Sequence, residues 1–251
     1  VLIGSSLKMY FGRARTVEWT RAVADICAAH PAVREGLVEP FVIPSFVSIA
    51  EVMPIARAAG MLVGAQDVHW AEPGPYTGEV SAAELAEHGV SLVEIGHAER
   101  RAHFGETDDT VARKTAAVVR HGLTPLLCIG ETVESDPTRA AEVCTSQLES
   151  SLARVDGSLA NRLVVAYEPV WAIGRSDPAD DEHIRLVARA IKTALVATPF
   201  SAQVIYGGSA RLGLLPRIGD AVDGVFLGRF AHDPLAFGGI LDEALDMEEM
   251  R

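Results

Sequence analysis

Short apolar runs recur along the chain, each leading into a polar or glycine-bearing turn and then into a segment with apolar residues at helical spacing. The runs are Val1 to Ser5, Val38 to Ile43, Met61 to Ala65, Leu92 to Ile95, Thr124 to Ile129, Leu163 to Tyr167, Gln203 to Tyr206 and Gly224 to Leu227. Most are rich in Val, Ile and Leu without strict alternation, the pattern of strands buried on both faces. Between them the spacing predicts helices over Thr16 to Ala29, with Thr16 as cap, and over Val52 to Ala59, stopped by Gly60. Further helices are predicted over Ser81 to His88, Thr110 to His121, Thr138 to Arg154, Asp180 to Ala197 and onward from Pro234. Pro40 interrupts the second run and weakens its strand character. The stretch Ala71 to Gly78, AEPGPYTG, reads as a loop.

Eight such strands, mostly separated by helices and without a linker or a break in composition, predict an α/β fold: one (β/α)8 barrel formed by a single domain over residues 1–251. An open doubly wound sheet is the alternative. It is disfavoured because no glycine-rich dinucleotide fingerprint follows the first strand. The 251 residues, 49% hydrophobic, suffice for such a core. A formal net charge of -12, from 22 basic and 34 acidic side chains, argues against general affinity for nucleic acid or an anionic membrane, so any anionic ligand needs a local positive site. No apolar run reaches the roughly 18 residues of a membrane span, and VLIGSSLKMY lacks the features of a signal peptide. Cys27, Cys128 and Cys144 form no CxxC pair, which suggests neither disulfides nor zinc and fits a soluble protein of the reducing cytoplasm.

Chemistry gathers first at Val164 to Gly174, VVAYEPVWAIG, where a carboxylate, Glu168, stands at a strand end before Pro169. Proline forces the chain out of the ladder and into an apolar loop. Glu168 is therefore either a general base beside a water-excluding flap or a half-buried acid paired with a neighbouring cation. In a barrel the C-terminal strand ends meet on one face, which would bring Lys8, His97 and Glu168 together. Taken singly, Lys8 reads as a solvated surface lysine and His97 as a satisfied core or rim side chain. The segments YGGSA (Tyr206 to Ala210) and FLGR (Phe226 to Arg229) each place glycine just after a strand. They are tight turns or, after the last two strands of a barrel, a cradle of backbone N–H groups for phosphate, to which Gly174 could add a donor.

Several stretches, in order along nearly the whole chain, resemble the triosephosphate isomerase family: LKM (Leu7 to Met9), GAQDV (Gly64 to Val68), YTGEVS (Tyr76 to Ser81), EIGHAERRAHFGET (Glu94 to Thr107), CIGET (Cys128 to Thr132), AYEPVWAIG and YGGS. The resemblance implies an aldose–ketose isomerase that works through an enediol and uses neither cofactor nor metal. It makes Glu168 the catalytic base, His97 a neutral electrophile, Lys8 the substrate-binding cation and Glu99 a supporting acid. Ser6 takes the place of an asparagine amide that contacts substrate. Gly174, Ser209, Gly228 and Arg229 match the phosphate cradle, with Pro169 to Ala179 as the closing flap. The loop around Thr77 matches one that enters a partner subunit, implying a homodimer.

The chain departs from the family pattern around the substrate. Ser6-Leu7 stands for Asn-Trp, Ala98 for a serine, Gly174-Arg175-Ser176-Asp177 for Gly-Thr-Gly-Lys, and Gly228-Arg229 for Gly-Gly. A shorter residue 6 widens the mouth near Lys8, and Arg229 adds a bulky cation beside the phosphate. HFGET, VRHGL and LGR also resemble the branch that isomerises four-carbon erythrulose phosphates. The expected substrate is dihydroxyacetone phosphate/glyceraldehyde 3-phosphate or an erythrulose phosphate. The alternatives are a noncatalytic phosphosugar-binding relative and, more remotely, a metal-dependent barrel aldolase, for which no ligand spacing is present.

Overall fold

A computed structural model describes residues 1–175 and 178–249. Its strands are β1 (Leu2–Ser6), β2 (Glu39–Ile43), β3 (Leu62–Ala65), β4 (Leu92–Ile95), β5 (Thr124–Ile129), β6 (Arg162–Tyr167), β7 (Ser201–Tyr206) and β8 (Gly224–Leu227). They pair in sequence order, and β8 returns in parallel to β1 to close a barrel. Apart from the start of β7, where Ser201 is exposed, the strands are largely buried on both sides, which explains the non-alternating apolar runs. Leu2, Phe41, Leu92, Leu126, Val164, Ile205 and Phe226 fill the interior. Their neighbours Ile3, Val42, Val93, Leu127, Val165, Val204 and Val225 face the surrounding helices. Gly4 leaves room for the Phe41 ring, since a Cβ there would lie 2.2 Å from it.

Two local expectations are corrected, and one helix was not expected. β2 runs through Pro40, which pairs with Ile3. Glu39 donates its N–H to Val1 on the β1 side, so residue 40 faces β3, and pairing with β3 begins only at Phe41. The missing N–H therefore removes no ladder bond. Thr16 is not a cap: the first helix spans Arg13–Ala29 from Gly12, and the Thr16 hydroxyl donates back to the Gly12 carbonyl at 3.1 Å. Between His97 and the helix Asp108–Arg120 lies a short helix, Ala98–Phe104, that the apolar spacing did not announce.

That short helix fixes the β4 loop. Arg100 pairs with Asp67 at 2.7 Å, and Asp67 also takes Lys114 at 2.6 Å, a largely buried cluster tying the loop after β3 to the loop after β4. Among the described residues no helix is long and apolar enough to cross a membrane.

Candidate active site

At the C-terminal end of β1, Ser6 is the last strand residue and points inward, following Leu2 and Gly4 on the interior face. Two residues on, Lys8 is the sole non-glycine among the described residues with left-handed backbone, φ 48°. Gln66 Nε2 donates to the Lys8 carbonyl at 3.0 Å and to the Ile43 carbonyl at 3.2 Å, holding that bend. The Lys8 ammonium donates to Glu99 Oε1 at 2.7 Å. Burial alone would lower the Lys8 pKa, but the carboxylates of Glu99, Glu168 and Glu94 outweigh it and raise it.

β4 ends at Ile95, and Gly96 turns the chain so that His97 caps the helix Ala98–Phe104. Nδ1 of His97 accepts the Glu99 N–H at 3.2 Å, which leaves the ring proton on Nε2. Nε2 faces Glu168 Oε2 at 3.7 Å and Glu94 Oε1 at 3.9 Å. Burial first, and then the Lys8 charge, lower this imidazole to about 4, so it is neutral at physiological pH.

Glu168 follows β6, its N–H still donating to the Ile129 carbonyl at 2.8 Å before Pro169 ends the ladder. The side chain is buried at 3% exposure. Burial, with the neighbouring Glu94 charge next, pushes it up to about 8. Oε2 is enclosed and has no hydrogen-bond partner among the described residues. Gly207 is needed at the end of β7, because a Cβ there would lie 2.7 Å from Glu168 Oε1.

These groups open into one cavity of about 510 Å³. Ser6, Lys8, His97, Glu99 and Glu168 line one part; Gly174, Ser209, Gly228 and Arg229 line it as well, at the loops after β6, β7 and β8. All nine residues singled out in the sequence thus share one chamber. The Ser209 hydroxyl donates to the Ala172 carbonyl at 2.8 Å, joining the glycine-rich loop to the root of the expected flap. Ser176 and Asp177, two of the departures from the family pattern, lie outside the described residues.

Two functional neighbours escaped the sequence reading. Glu131, in the CIGET segment, accepts from Trp171 Nε1 at 2.7 Å and from the Tyr167 hydroxyl at 3.2 Å, with His183 Nε2 at 3.1 Å, and so anchors the flap root. Glu94 shares the interior face of β4 with Leu92 and accepts from the Ser6 hydroxyl at 2.8 Å. An acid inside the otherwise apolar LVEI run was the available signal for it. Chemically, the chamber offers a buried carboxyl group, a neutral imidazole donor, an ammonium and glycine-bearing loops after β6, β7 and β8, a set suited to moving a proton between carbons of a carbonyl compound.

A family model described as triosephosphate isomerase matches residues 1–244. The chain is 47% identical over 248 residues to the L-erythrulose-1-phosphate isomerase of Pectobacterium atrosepticum, covering 98% of this chain and 96% of that protein. A protein of the same name from Rhizobium etli is 43% identical, covering 92% and 87% of the respective chains. Another from Mesorhizobium japonicum is 39% identical, covering 96% of each.

Proposed function

The chain belongs to the triosephosphate isomerase family, and from that premise we propose that it shifts the carbonyl of L-erythrulose 1-phosphate by enediol proton transfer. Glu168 removes the proton from the carbon beside the carbonyl, on the side away from the phosphate. Lys8 Nζ and His97 Nε2–H hydrogen-bond the oxygens on which negative charge develops, and the shared proton returns to the former carbonyl carbon. On a triose phosphate this is the aldose–ketose interconversion. On L-erythrulose 1-phosphate the carbon that loses its proton also bears a hydroxymethyl group, and the same step carries the carbonyl from C2 to C3. One proton moves between the two carbons and a second from the hydroxyl oxygen to the former carbonyl oxygen; no hydride is transferred, so the reaction consumes no redox cofactor. A neutral imidazole as electrophile is the device for which this family is itself a standing example.

The observation that carries the reading is the buried, unpartnered Oε2 of Glu168 facing His97 Nε2 at 3.7 Å inside the chamber. Backbone groups at Gly174, Ser209, Gly228 and Arg229 are the proposed phosphate donors, and the flap from Pro169 to Ala179 excludes water from the enediol. In the Glu168→Gln variant, exchange of solvent deuterium into L-erythrulose 1-phosphate is expected to fall by at least about a hundredfold with an unchanged circular dichroism spectrum. Undiminished exchange would refute the assignment. Against dihydroxyacetone phosphate, the four-carbon substrate is expected to show the higher kcat/KM.

The functional unit is proposed to be a homodimer. Loops after β1, β2, β3 and β4, consecutive around the barrel, expose Met9, Val47, Tyr76 and Phe104. That apolar rim, with the loop around Thr77 projecting from it, suits a second copy of the chain. Free, buried Cys27, Cys128 and Cys144 suit the cytoplasm.

A further inference from the structure

The established parts of the site leave one buried acid unused. Glu94 points into a barrel interior whose other members around it, Leu92, Leu126, Cys128, Val164 and Ala166, are apolar or weakly polar. At 3% exposure it has no lysine or arginine within ion-pair distance among the described residues, and its ring contact, His97 Nε2, is 3.9 Å away. Burying a carboxyl there costs desolvation that an apolar side chain of similar volume would not. Its direct hydrogen bond comes from across the barrel, from the Ser6 hydroxyl at 2.8 Å. Ser6 in turn lines the chamber beside Lys8, His97 and Glu168.

A serine hydroxyl has one proton and two lone pairs. While Glu94 is ionised, the Ser6 proton is committed to it and Ser6 presents only lone pairs to the chamber. The polarity of the walls is then fixed: Lys8 and His97 Nε2–H are donors, suited to carbonyl and enediolate oxygens, and Ser6 is an acceptor, suited to a hydroxyl group. L-erythrulose 1-phosphate differs from dihydroxyacetone phosphate by one hydroxymethyl group, carried on the carbon from which the proton is taken. That group must lie at the Glu168 end of the chamber, away from the phosphate donors, where Ser6 also lies.

We propose that Ser6 and Glu94 form the specificity-determining subsite for the terminal hydroxymethyl group of the four-carbon substrate. Ser6 touches the substrate hydroxyl, and Glu94 is a positioning residue that orients Ser6 through a hydroxyl–hydroxyl–carboxylate chain. The inference rests on the erythrulose phosphate reading of the function.

The test measures kcat and KM with L-erythrulose 1-phosphate and dihydroxyacetone phosphate for the wild-type chain and for Ser6→Ala, Glu94→Leu and Glu94→Gln. Inhibition by dihydroxyacetone phosphate replaces its turnover if that is too slow. The ratio of tetrulose to triose kcat/KM is expected to fall at least about tenfold in Ser6→Ala and Glu94→Leu, chiefly through the tetrulose KM. Glu94→Gln, which keeps a carbonyl oxygen to accept from Ser6, is expected to retain most of the selectivity, a rescue that a role in packing alone would not produce. A wild-type ratio preserved in both Ser6→Ala and Glu94→Leu, or equal losses on the two substrates, overturns the subsite while leaving the isomerase reading intact. If Glu94→Leu fails to fold, Ser6→Ala decides. A wild-type enzyme inert toward L-erythrulose 1-phosphate overturns the substrate reading and the subsite with it.

Discussion

Glu168 and His97 are both shifted away from their ordinary pKa values, the acid upward and the imidazole downward, so that each is pushed toward its neutral form. Burial is the leading cause in both. For His97 this keeps a ring that donates from Nε2 at any physiological pH. For Glu168 it means that a competent carboxylate is lost as pH falls through about 8. The free enzyme's kcat/KM should therefore climb with pH through that region, since only the ionised base removes a proton. Glu94, itself raised to about 7 by burial against the pull of Ser6 and Lys8, is the next contributor to the Glu168 shift. Lys8, Glu99, Asp67 and Cys128 are the other titratable groups that act on this pair, and the His97 ring faces both. Removing the Glu94 charge in Glu94→Leu should move the acid limb of the kcat/KM profile to lower pH, a shift measurable by initial rates in buffers of constant ionic strength. An unmoved limb would mean that Glu94 does not act on the base. At this scale Lys8, His97 and Glu168 were legible because strand-end residues of a barrel converge. Glu94 was not, because a single acid within LVEI gives no sign of which face it takes until the register of β4 is known.

At the scale of elements, the strands were legible because burial on both faces writes itself as continuous apolar runs. Short connecting helices were not. Ala98–Phe104 buries none of its residues, so no apolar periodicity marks it; its role is to hold His97 at its N-terminus and Arg100 against Asp67. The flap root depends in the same way on one side chain. Glu131 is 2% exposed and receives the Trp171 indole and the Tyr167 hydroxyl, while its own carbonyl accepts the Val170 N–H at 2.9 Å. Glu131→Ala strands those donors in a closed space and should lower stability by about 2–4 kcal/mol, read as a fall in the denaturation midpoint. Turnover should fall as well, since Trp171 lies in the segment that leads from Glu168 into the flap. A stable variant with wild-type kcat would show that the flap root is held by other contacts.

For the whole molecule, closure of β8 onto β1 makes neighbours of groups as distant in sequence as Ser5 and Leu227, whose hydroxyl and carbonyl lie 2.9 Å apart. The alternation of apolar runs and helices was enough to anticipate that closure. Assembly was indicated only by the resemblance of the loop around Thr77, and the exposed side chains at the rims of β1 to β4 now supply a physical motive for it. Replacing Thr77 with Arg would place a bulky charge in the proposed contact and should halve the mass seen by light scattering. Lower kcat/KM should accompany it, because Lys8 lies in the first of those loops. An unchanged mass would place any interface elsewhere.

The direction that an ionised Glu94 imposes on the Ser6 hydroxyl has a stereochemical consequence. In the proposed site, a phosphate seat, a donor pair and a lone-pair wall would be three unlike points of attachment around one reacting carbon, and three unlike points distinguish left from right. The mirror image, D-erythrulose 1-phosphate, can satisfy any two of them but must then turn either its reactive hydrogen or its terminal hydroxyl away from its partner. Handedness in this enzyme would then be read from the inner wall of the barrel.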